Sequence, residues 1–198
     1  MVPTAPAAGT ARARQADRRR IQLIDAALRL FAERGFRGTT IADIAAATGT
    51  AHGLVYHYFR SKDELLEAVL ERHAFLDRLD TILTVSSRRP AAKVLTEIAV
   101  GLSRLLDERP ELLRLVVAES PTNPIVQQAM ARVSEEGTRI LGDYLRARVA
   151  AGELRPHDPA VPARALFWSI IAKHLGPGGA DGFESDFVAV LLDGLRAR

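Results

Sequence analysis

The chain has 198 residues, of which 47% are hydrophobic and 26% are charged, a composition typical of globular proteins. It contains no cysteine, which excludes disulfides, thiolate zinc sites and cysteine catalysis. No apolar run approaches the ~20 residues that a membrane helix needs, and the first residues lack the pattern of a signal peptide. We therefore expect a cytoplasmic protein with no membrane partner.

The charge is unevenly distributed along the chain. Nine arginines against four acidic residues give residues 1–60 a net charge of +5, and the other residues carry −2 of the total of +3. A basic first third favours a nucleic-acid partner at that end. If the charge is considered alone, a basic surface that contacts only solvent is an equally good explanation.

The first predicted elements are a tail and a helix. Residues 1–16 are rich in Ala, Pro and Thr and show no periodic pattern, so we expect them to be disordered. From Asp17, apolar residues recur at helical spacing until Gly35, which predicts the end of the first helix.

Two short helices follow, joined by a tight turn. Thr40 can cap the second helix, and Ala45 is small where two helices must cross closely. Gly49 can adopt the left-handed backbone that the turn needs. A third helix from about Ala51 to Tyr58 completes a helix-turn-helix over about residues 41–60, a unit that places its second helix in a DNA major groove.

The rest of the chain predicts six longer helices and no strand of more than a few residues. Ser61 to Glu64 resembles a capping box that opens a helix running towards Leu83. No Gly or Pro lies between Ser61 and Val85, so we expect one continuous helix that could act as a lever. The other five are expected after Pro90, from Pro110, over about 124–151, over 159–175 and from about 182, which makes about nine helices in all.

Residues 18–75 resemble the N-terminal domain of the TetR family of repressors. The most specific matches are Phe31-Ala32-Glu33-Arg34-Gly35, Thr39-Thr40-Ile41, Ile44-Ala45, Gly49, Tyr56-His57-Tyr58-Phe59 and Ser61-Lys62. The resemblance implies an all-α fold, with a three-helix DNA-binding head at residues 17–62 and a body at residues 63–198. The body would bind a small-molecule effector and form a homodimer through the last two helices, and the dimer would repress from a palindromic double-stranded DNA operator.

Nine residues are candidates for DNA contacts. The resemblance implies contacts at Thr39, Thr40, Tyr56, His57 and Lys62, and the position at the start of the third helix indicates Thr50, Ala51, His52 and Gly53. Thr39 and Thr40 lie where the family holds a phosphate, although each could be a simple helix cap. Tyr56 and His57 match backbone-contact positions. A lysine at the start of a helix is unfavourable for the helix dipole, and a phosphate contact would explain Lys62.

The start of the third helix provides the best candidate for base recognition. His52 is long, polar and at the exposed end, although it could be an ordinary surface histidine. Gly53 is costly inside a helix unless the backbone must approach DNA closely. Two residues depart from the family pattern. Ala51 replaces a Ser or Thr, so Thr50 must cap the helix or the cap is lost, and Leu54 replaces a Thr that could contact DNA.

Eight polar residues on apolar body helices are candidates for an effector pocket, although a surface or structural role is the stronger interpretation for each: Glu97, Arg104, Glu119, Asn123, Gln127, Tyr144, Trp168 and His174. The helix at 159–175 is apolar around most of its circumference, so it must bury one face in its own core and another against a partner subunit.

Enzyme functions are not indicated. The five histidines have no metal-ligand spacing, and no phosphate loop or nucleophile elbow occurs, so we expect no metal, cofactor or catalytic residue. The alternative function is an architectural or protein-recruiting helix-turn-helix factor without ligand control.

Overall fold

The computed structural model describes residues 8–73, 76–85, 89–176 and 181–195. These residues form ten α-helices, and their bounds are α1 Ala8–Gly38, α2 Ile41–Ala47, α3 His52–Tyr58, α4 Lys62–Arg72, α5 Leu76–Val85, α6 Ala91–Glu108, α7 Pro110–Glu119, α8 Pro124–Ala150, α9 Ala160–Leu175 and α10 Phe183–Asp193. The predicted all-α fold is confirmed.

The chain forms two compact units. The N-terminal unit comprises Met1–His73 together with Glu111–Gln127, and the C-terminal unit comprises Ala74–Pro110 and Gln128–Arg198. The N-terminal unit is therefore larger than the head predicted at residues 17–62, because it includes all of α4, most of α7 and the start of α8.

The core of the N-terminal unit forms where α1 packs against α4 and α2. Leu23, Ile24 and Phe31 of α1 are almost fully buried, as are Leu65 and Leu66 of α4. Burial of large apolar side chains of this kind contributes ~1.5–3 kcal/mol each. This core supports the two short helices, because α2 packs against α1 and α3 packs against α2.

Helix α1 differs from the prediction at its start and agrees with it near its end. It begins at Ala8, so residues 8–16 are helical and the disorder expected there is wrong, whereas residues 1–7 lie outside the described residues. Helical spacing alone did not reveal this extension, because it carries no apolar face. At Gly35 the backbone leaves the helical conformation, with φ at 73° and ψ at 163°, as expected of the residue that stops the helix.

The continuous helix expected from Ser61 to Leu83 is wrong. Helix α4 ends at Arg72, His73 has φ at −103° and ψ at 5°, and α5 begins at Leu76. The buried His73 side chain lies with its Nε2 3.5 Å from Oδ1 of Asp25 in α1. Helix α4 thus ends beside this tertiary contact, at a position with no Gly or Pro. Because the predicted single helix is two helices, α4 and α5, the described residues form ten helices instead of about nine.

The C-terminal unit is built around α6, which packs against α5, α9 and α10. Val94, Ile98, Leu166 and Ile170 are almost completely buried between these helices. Lys173 of α9 donates to Glu184 at the start of α10 over 2.6 Å, with both side chains mostly buried. Burial opposes ionisation of Glu184, but hydrogen bonds from Lys173 and Ser103 outweigh it and lower the pKa of Glu184. In the described ranges, none of the helices is long and apolar enough to cross a membrane.

Candidate nucleic-acid interface

Helix α3 buries one face and exposes the other. Val55 is fully buried in the N-terminal unit. His52, Tyr56 and His57 are exposed, and the rings of His52 and Tyr56 meet edge to face with centroids 5.2 Å apart. The exposed face therefore presents imidazole and phenol groups that can donate hydrogen bonds to bases and phosphates.

The start of α3 has no side-chain cap. Ala51 occupies the cap position and forms no side-chain hydrogen bond, while the Thr50 hydroxyl lies 3.0 Å from the Thr48 hydroxyl instead. The predicted possibility that Thr50 replaces the missing cap is therefore wrong. The absence of a side-chain cap costs ~1 kcal/mol relative to a Ser, Thr, Asp or Asn at that position.

Gly53 lies on the exposed first turn of α3. A Cβ atom added at this position would meet nothing within 4 Å, so no neighbouring side chain requires a glycine there. Glycine in a helix costs ~1 kcal/mol relative to alanine. The position therefore carries a cost that packing within the N-terminal unit does not explain.

Thr40 caps α2 through a reciprocal capping box with Asp43. The Asp43 amide donates to the Thr40 hydroxyl over 3.1 Å, and the Thr40 amide donates to the Asp43 carboxylate over 2.8 Å. The Thr40 hydroxyl also donates to the Asp43 carboxylate over 2.6 Å. This bond, together with that from the Thr40 amide and the charge of Arg34 at 3.5 Å, lowers the pKa of Asp43. The cap predicted at Thr40 is therefore present, and Asp43 completes it as a reciprocal capping box, a role that the sequence analysis did not assign to Asp43.

Thr39 does not present its side chain to solvent. The residue is completely buried, and its hydroxyl lies 3.1 Å from the Leu30 carbonyl oxygen and 3.0 Å from that of Gly35. The phosphate contact predicted for this side chain is therefore wrong, because the hydroxyl proton is already committed within the fold. The Thr39 hydroxyl instead links residue 39 to the Leu30 and Gly35 carbonyl oxygens of α1.

Lys62 also binds the protein itself. Its ammonium donates to the carbonyl oxygens of Phe36 over 2.8 Å and of Thr39 over 2.9 Å, and it lies 4.4 Å from the centre of the Phe36 ring. These contacts explain a lysine at the start of a helix without a phosphate. We name residues 36–40 the α1–α2 turn. Phe36 is a contributor to this turn that the sequence analysis did not single out.

The capping box predicted at Ser61 is only half formed. The Glu64 amide donates to the Ser61 hydroxyl over 3.0 Å, as predicted. The Glu64 carboxylate, however, accepts from the Arg60 amide over 2.6 Å. The Ser61 hydroxyl therefore caps α4 as predicted, but the Glu64 carboxylate binds the amide of Arg60 instead of the amide of Ser61.

Three of the eight candidate effector residues lie in the N-terminal unit, at the junction of α7 and α8. Glu119 accepts from the Phe36 amide over 2.7 Å. The buried Asn123 caps α8 by accepting from the Ile125 amide over 3.0 Å, and Gln127 donates to the Ser120 carbonyl over 2.8 Å. All three have bonding partners within their own unit.

The other five lie in the C-terminal unit, in different surroundings. Glu97 pairs with Arg89 over 2.7 Å, and the Tyr144 hydroxyl donates to the Arg89 carbonyl over 2.9 Å. His174 Nε2 lies 3.1 Å from Asp107 Oδ1, while Arg104 and Trp168 are exposed. Tyr144 lines an open cleft between α5 and α8.

A metal-dependent site is not apparent in the part of the chain that the structure describes. No three His, Asp or Glu side chains come together there as possible ligands. The candidate binding surface is therefore the exposed face of α3 together with the start of α2, where His52, Tyr56, His57 and Thr40 are exposed.

Comparisons with known proteins agree with this geometry. Residues 23–69 match the family described as bacterial regulatory proteins, tetR family, and residues 93–177 match the AefR-like transcriptional repressor C-terminal domain. The HTH-type transcriptional repressor KstR2 of Rhodococcus jostii (strain RHA1) is 49% identical over 196 residues, covering 90% of this chain and 92% of that protein.

Two solved structures share the fold. The structure of ketosteroid transcriptional regulator KstR2 of Mycobacterium tuberculosis has a TM-score of 0.64 at 23% identity and covers 91% of this chain and 96% of that one. The transcriptional regulator FadR from Bacillus subtilis in complex with stearoyl-CoA has a TM-score of 0.75 at 21% identity and covers 88% and 98%. The chain belongs to the TetR family of bacterial regulatory proteins and is a DNA-binding transcriptional repressor with a helix-turn-helix head.

Proposed function

We propose that the exposed face of α3 and the start of α2 bind a double-stranded DNA operator. The observation that carries this is the exposure of His52, Tyr56 and His57 on a helix whose other face is buried. His52 reads a base edge, and Tyr56 and His57 bind backbone phosphates. Thr40, Thr50, Ala51 and Gly53 bring exposed backbone close to the DNA.

The repressor acts as a homodimer on a palindromic site. Large apolar side chains are exposed on α9 and α10, with 57% of Trp168 and 74% of Val190 accessible in the single chain. A second copy of the chain is the proposed occupant of this surface, because dimerisation is typical of the family and isologous contact matches a palindromic operator.

The effector is a ketosteroid or a coenzyme A thioester. Support comes from the 49% identity to a KstR2 repressor, since a mycobacterial KstR2 is described as a ketosteroid regulator, and from the stearoyl-CoA bound to a protein of the same fold. The body at residues 63–198 would bind this ligand. Both ligand classes combine an apolar portion with polar groups, which suits a pocket among apolar helices.

The experiment has two stages. Duplexes selected from random DNA by the intact protein should share a palindromic motif, and that duplex should then be titrated with a ketosteroid, a steroid coenzyme A thioester and stearoyl-CoA. Release of the duplex by one of these ligands supports the proposal. Selection of no motif would contradict operator recognition, and failure of all three ligands to change binding would contradict this effector class and favour a factor without ligand control.

A further inference from the structure

The α1–α2 turn is held from two sides by residues of opposite charge. Glu119 of α7 accepts from the Phe36 amide over 2.7 Å, while the Lys62 ammonium binds the carbonyl oxygens of Phe36 and Thr39. A carboxylate on an N–H group and an ammonium on C=O groups are both charge-assisted hydrogen bonds, which are shorter and stronger than neutral ones. The turn therefore depends on both side chains for its position.

The residue before the Phe36 amide is a glycine for the sake of its backbone conformation. Gly35 has φ at 73°, a conformation that side chains rarely adopt, and a Cβ atom added there would lie 3.4 Å from Oε1 of Glu119. The break near the end of α1 thus turns the Phe36 amide towards α7, where Glu119 accepts from it. The glycine and the carboxylate form one arrangement, although 84 positions separate Gly35 from Glu119 in the chain.

Glu119 is in turn connected to the start of α8. Its Oε2 lies 3.4 Å from Nδ2 of Asn123, and Oδ1 of Asn123 accepts from the Ile125 amide. The backbone amides of Thr122 and Asn123 also donate to the Glu119 carbonyl oxygen, over 3.0 and 2.8 Å. The end of α7 is therefore a closed hydrogen-bonded structure that holds the carboxylate in place.

From this geometry we infer that Glu119 is a positioning residue for DNA binding rather than part of the effector pocket. Its carboxylate fixes the Phe36 amide, the fixed α1–α2 turn orients Thr40 at the start of α2, and α2 sets the orientation of α3. This inference rests on the proposed DNA-binding surface. It gives an acidic residue a favourable role in binding a polyanion, which is the reverse of what its charge alone predicts.

The test compares three substitutions of Glu119 in the full-length protein. Glu119→Gln keeps an oxygen acceptor at the same reach without the charge, Glu119→Asp keeps the charge but shortens the reach, and Glu119→Ala removes both. Glu33→Ala is the matched control, since Glu33 is an exposed acidic residue in the same unit. The measurements are affinity for the duplex selected by the wild-type protein, its salt dependence, and hydrogen exchange at the Phe36 amide.

We expect Glu119→Ala and Glu119→Asp to bind the duplex about tenfold more weakly, equivalent to ~1.4 kcal/mol. Glu119→Gln keeps a weaker, neutral hydrogen bond to the Phe36 amide, so its affinity should lie between those of the wild type and Glu119→Ala. The salt dependence should not change, because Glu119 contacts no phosphate. Glu33→Ala should bind as the wild type does or slightly more tightly.

Exchange at Phe36 provides a readout that does not depend on DNA. It should accelerate in Glu119→Ala and Glu119→Asp and stay slow in Glu119→Gln, even if the wild-type protein were to select no duplex. Wild-type affinity in Glu119→Asp, with a loss in Glu119→Gln, would overturn the inference by showing that charge matters and reach does not. Unchanged exchange at Phe36 in all three variants would also overturn it.

Discussion

The side-chain nitrogen of Lys62 lies 2.9 Å from the carbonyl oxygen of Thr39, a residue 23 positions earlier in the chain. The same nitrogen binds the Phe36 carbonyl oxygen. A residue that family resemblance assigns to a DNA phosphate therefore has an internal role in the free protein, where it joins the start of α4 to the α1–α2 turn.

Replacing Lys62 with Met should lower the free energy of unfolding by about 2 kcal/mol, because two carbonyl groups lose a charged donor. Operator affinity should fall for all sequences alike, since the turn before α2 is no longer fixed, while the salt dependence stays the same. Urea unfolding and binding titrations at several salt concentrations measure these effects. Lys93→Met is the control, because Lys93 is an exposed lysine in the first turn of α6. A fully stable Lys62→Met protein would contradict the internal role.

His52→Ala should alter the base preference of the repressor. The imidazole lies at the exposed start of α3, and its ring is oriented by the edge-to-face contact with Tyr56. Losing a base contact should reduce discrimination at one position of each half-site by ~1 kcal/mol. Tyr56→Phe should instead weaken binding to all duplexes alike, because the lost hydroxyl is the group that we propose binds phosphate. Selection from random DNA with each variant measures the base preference, and titration of several duplexes measures the affinity. An unchanged motif in His52→Ala would show that His52 does not recognise a base.

Tyr144→Phe should destabilise the C-terminal unit by ~1 kcal/mol at neutral pH, because the hydroxyl donates to the Arg89 carbonyl oxygen. Burial raises the pKa of Tyr144 from 10.0 to about 12, so the neutral form is favoured in the folded protein. The contribution of Tyr144 is therefore complete below pH 10 and is lost as the pH rises towards 12. Unfolding of both proteins between pH 8 and 11 should show the stability difference shrinking above pH 10, and a difference that grows would contradict this assignment.

Val190→Glu should prevent formation of the proposed homodimer and leave a monomer. Val190 is 74% exposed in the single chain, and a carboxylate buried in an apolar interface without a partner costs several kcal/mol. Light scattering at micromolar concentration measures the mass. Val117→Glu is the control, because Val117 is an exposed valine of the N-terminal unit. A dimeric Val190→Glu protein alongside a dimeric control would place the interface elsewhere.

The features that could be predicted from the sequence are those that depend on neighbouring residues. Thr40 caps α2, Gly35 interrupts α1, and Ile44 and Val55 are fully buried, because capping, backbone freedom and helical spacing act over a few residues. The features that could not be predicted join distant parts of the chain. The end of α4 accompanies the contact of His73 with Asp25, and no local pattern reveals such a pairing.

The same distinction applies to the candidate site. The helix-turn-helix and its exposed face follow from spacing over about residues 41–60. The bond between Glu119 and the Phe36 amide spans 83 positions, so Glu119 read from sequence alone was only a polar residue on an apolar helix. Thr39 was misassigned for a similar reason, since its burial depends on packing that its own segment does not encode.

Gly53→Ala should make the protein more stable and the repressor weaker. The added methyl group meets nothing within 4 Å in the free protein, so the substitution adds no clash. Alanine is favoured over glycine in a helix by ~1 kcal/mol, and the free energy of unfolding should rise by about that amount. On DNA the same methyl group would project from the exposed first turn of α3 towards the groove, which should reduce operator affinity about tenfold, or ~1.4 kcal/mol.

Urea unfolding and binding to the selected duplex measure the two effects of Gly53→Ala separately. Ala46→Gly provides the opposite control, because Ala46 is exposed on α2 and its replacement should cost stability through helix propensity alone. Opposite signs for stability and affinity in Gly53→Ala would show that DNA, and not the fold, requires this glycine. If the variant gained stability and bound the operator as tightly as the wild type, the first turn of α3 would not approach the DNA closely, and base recognition would have to begin further along the helix.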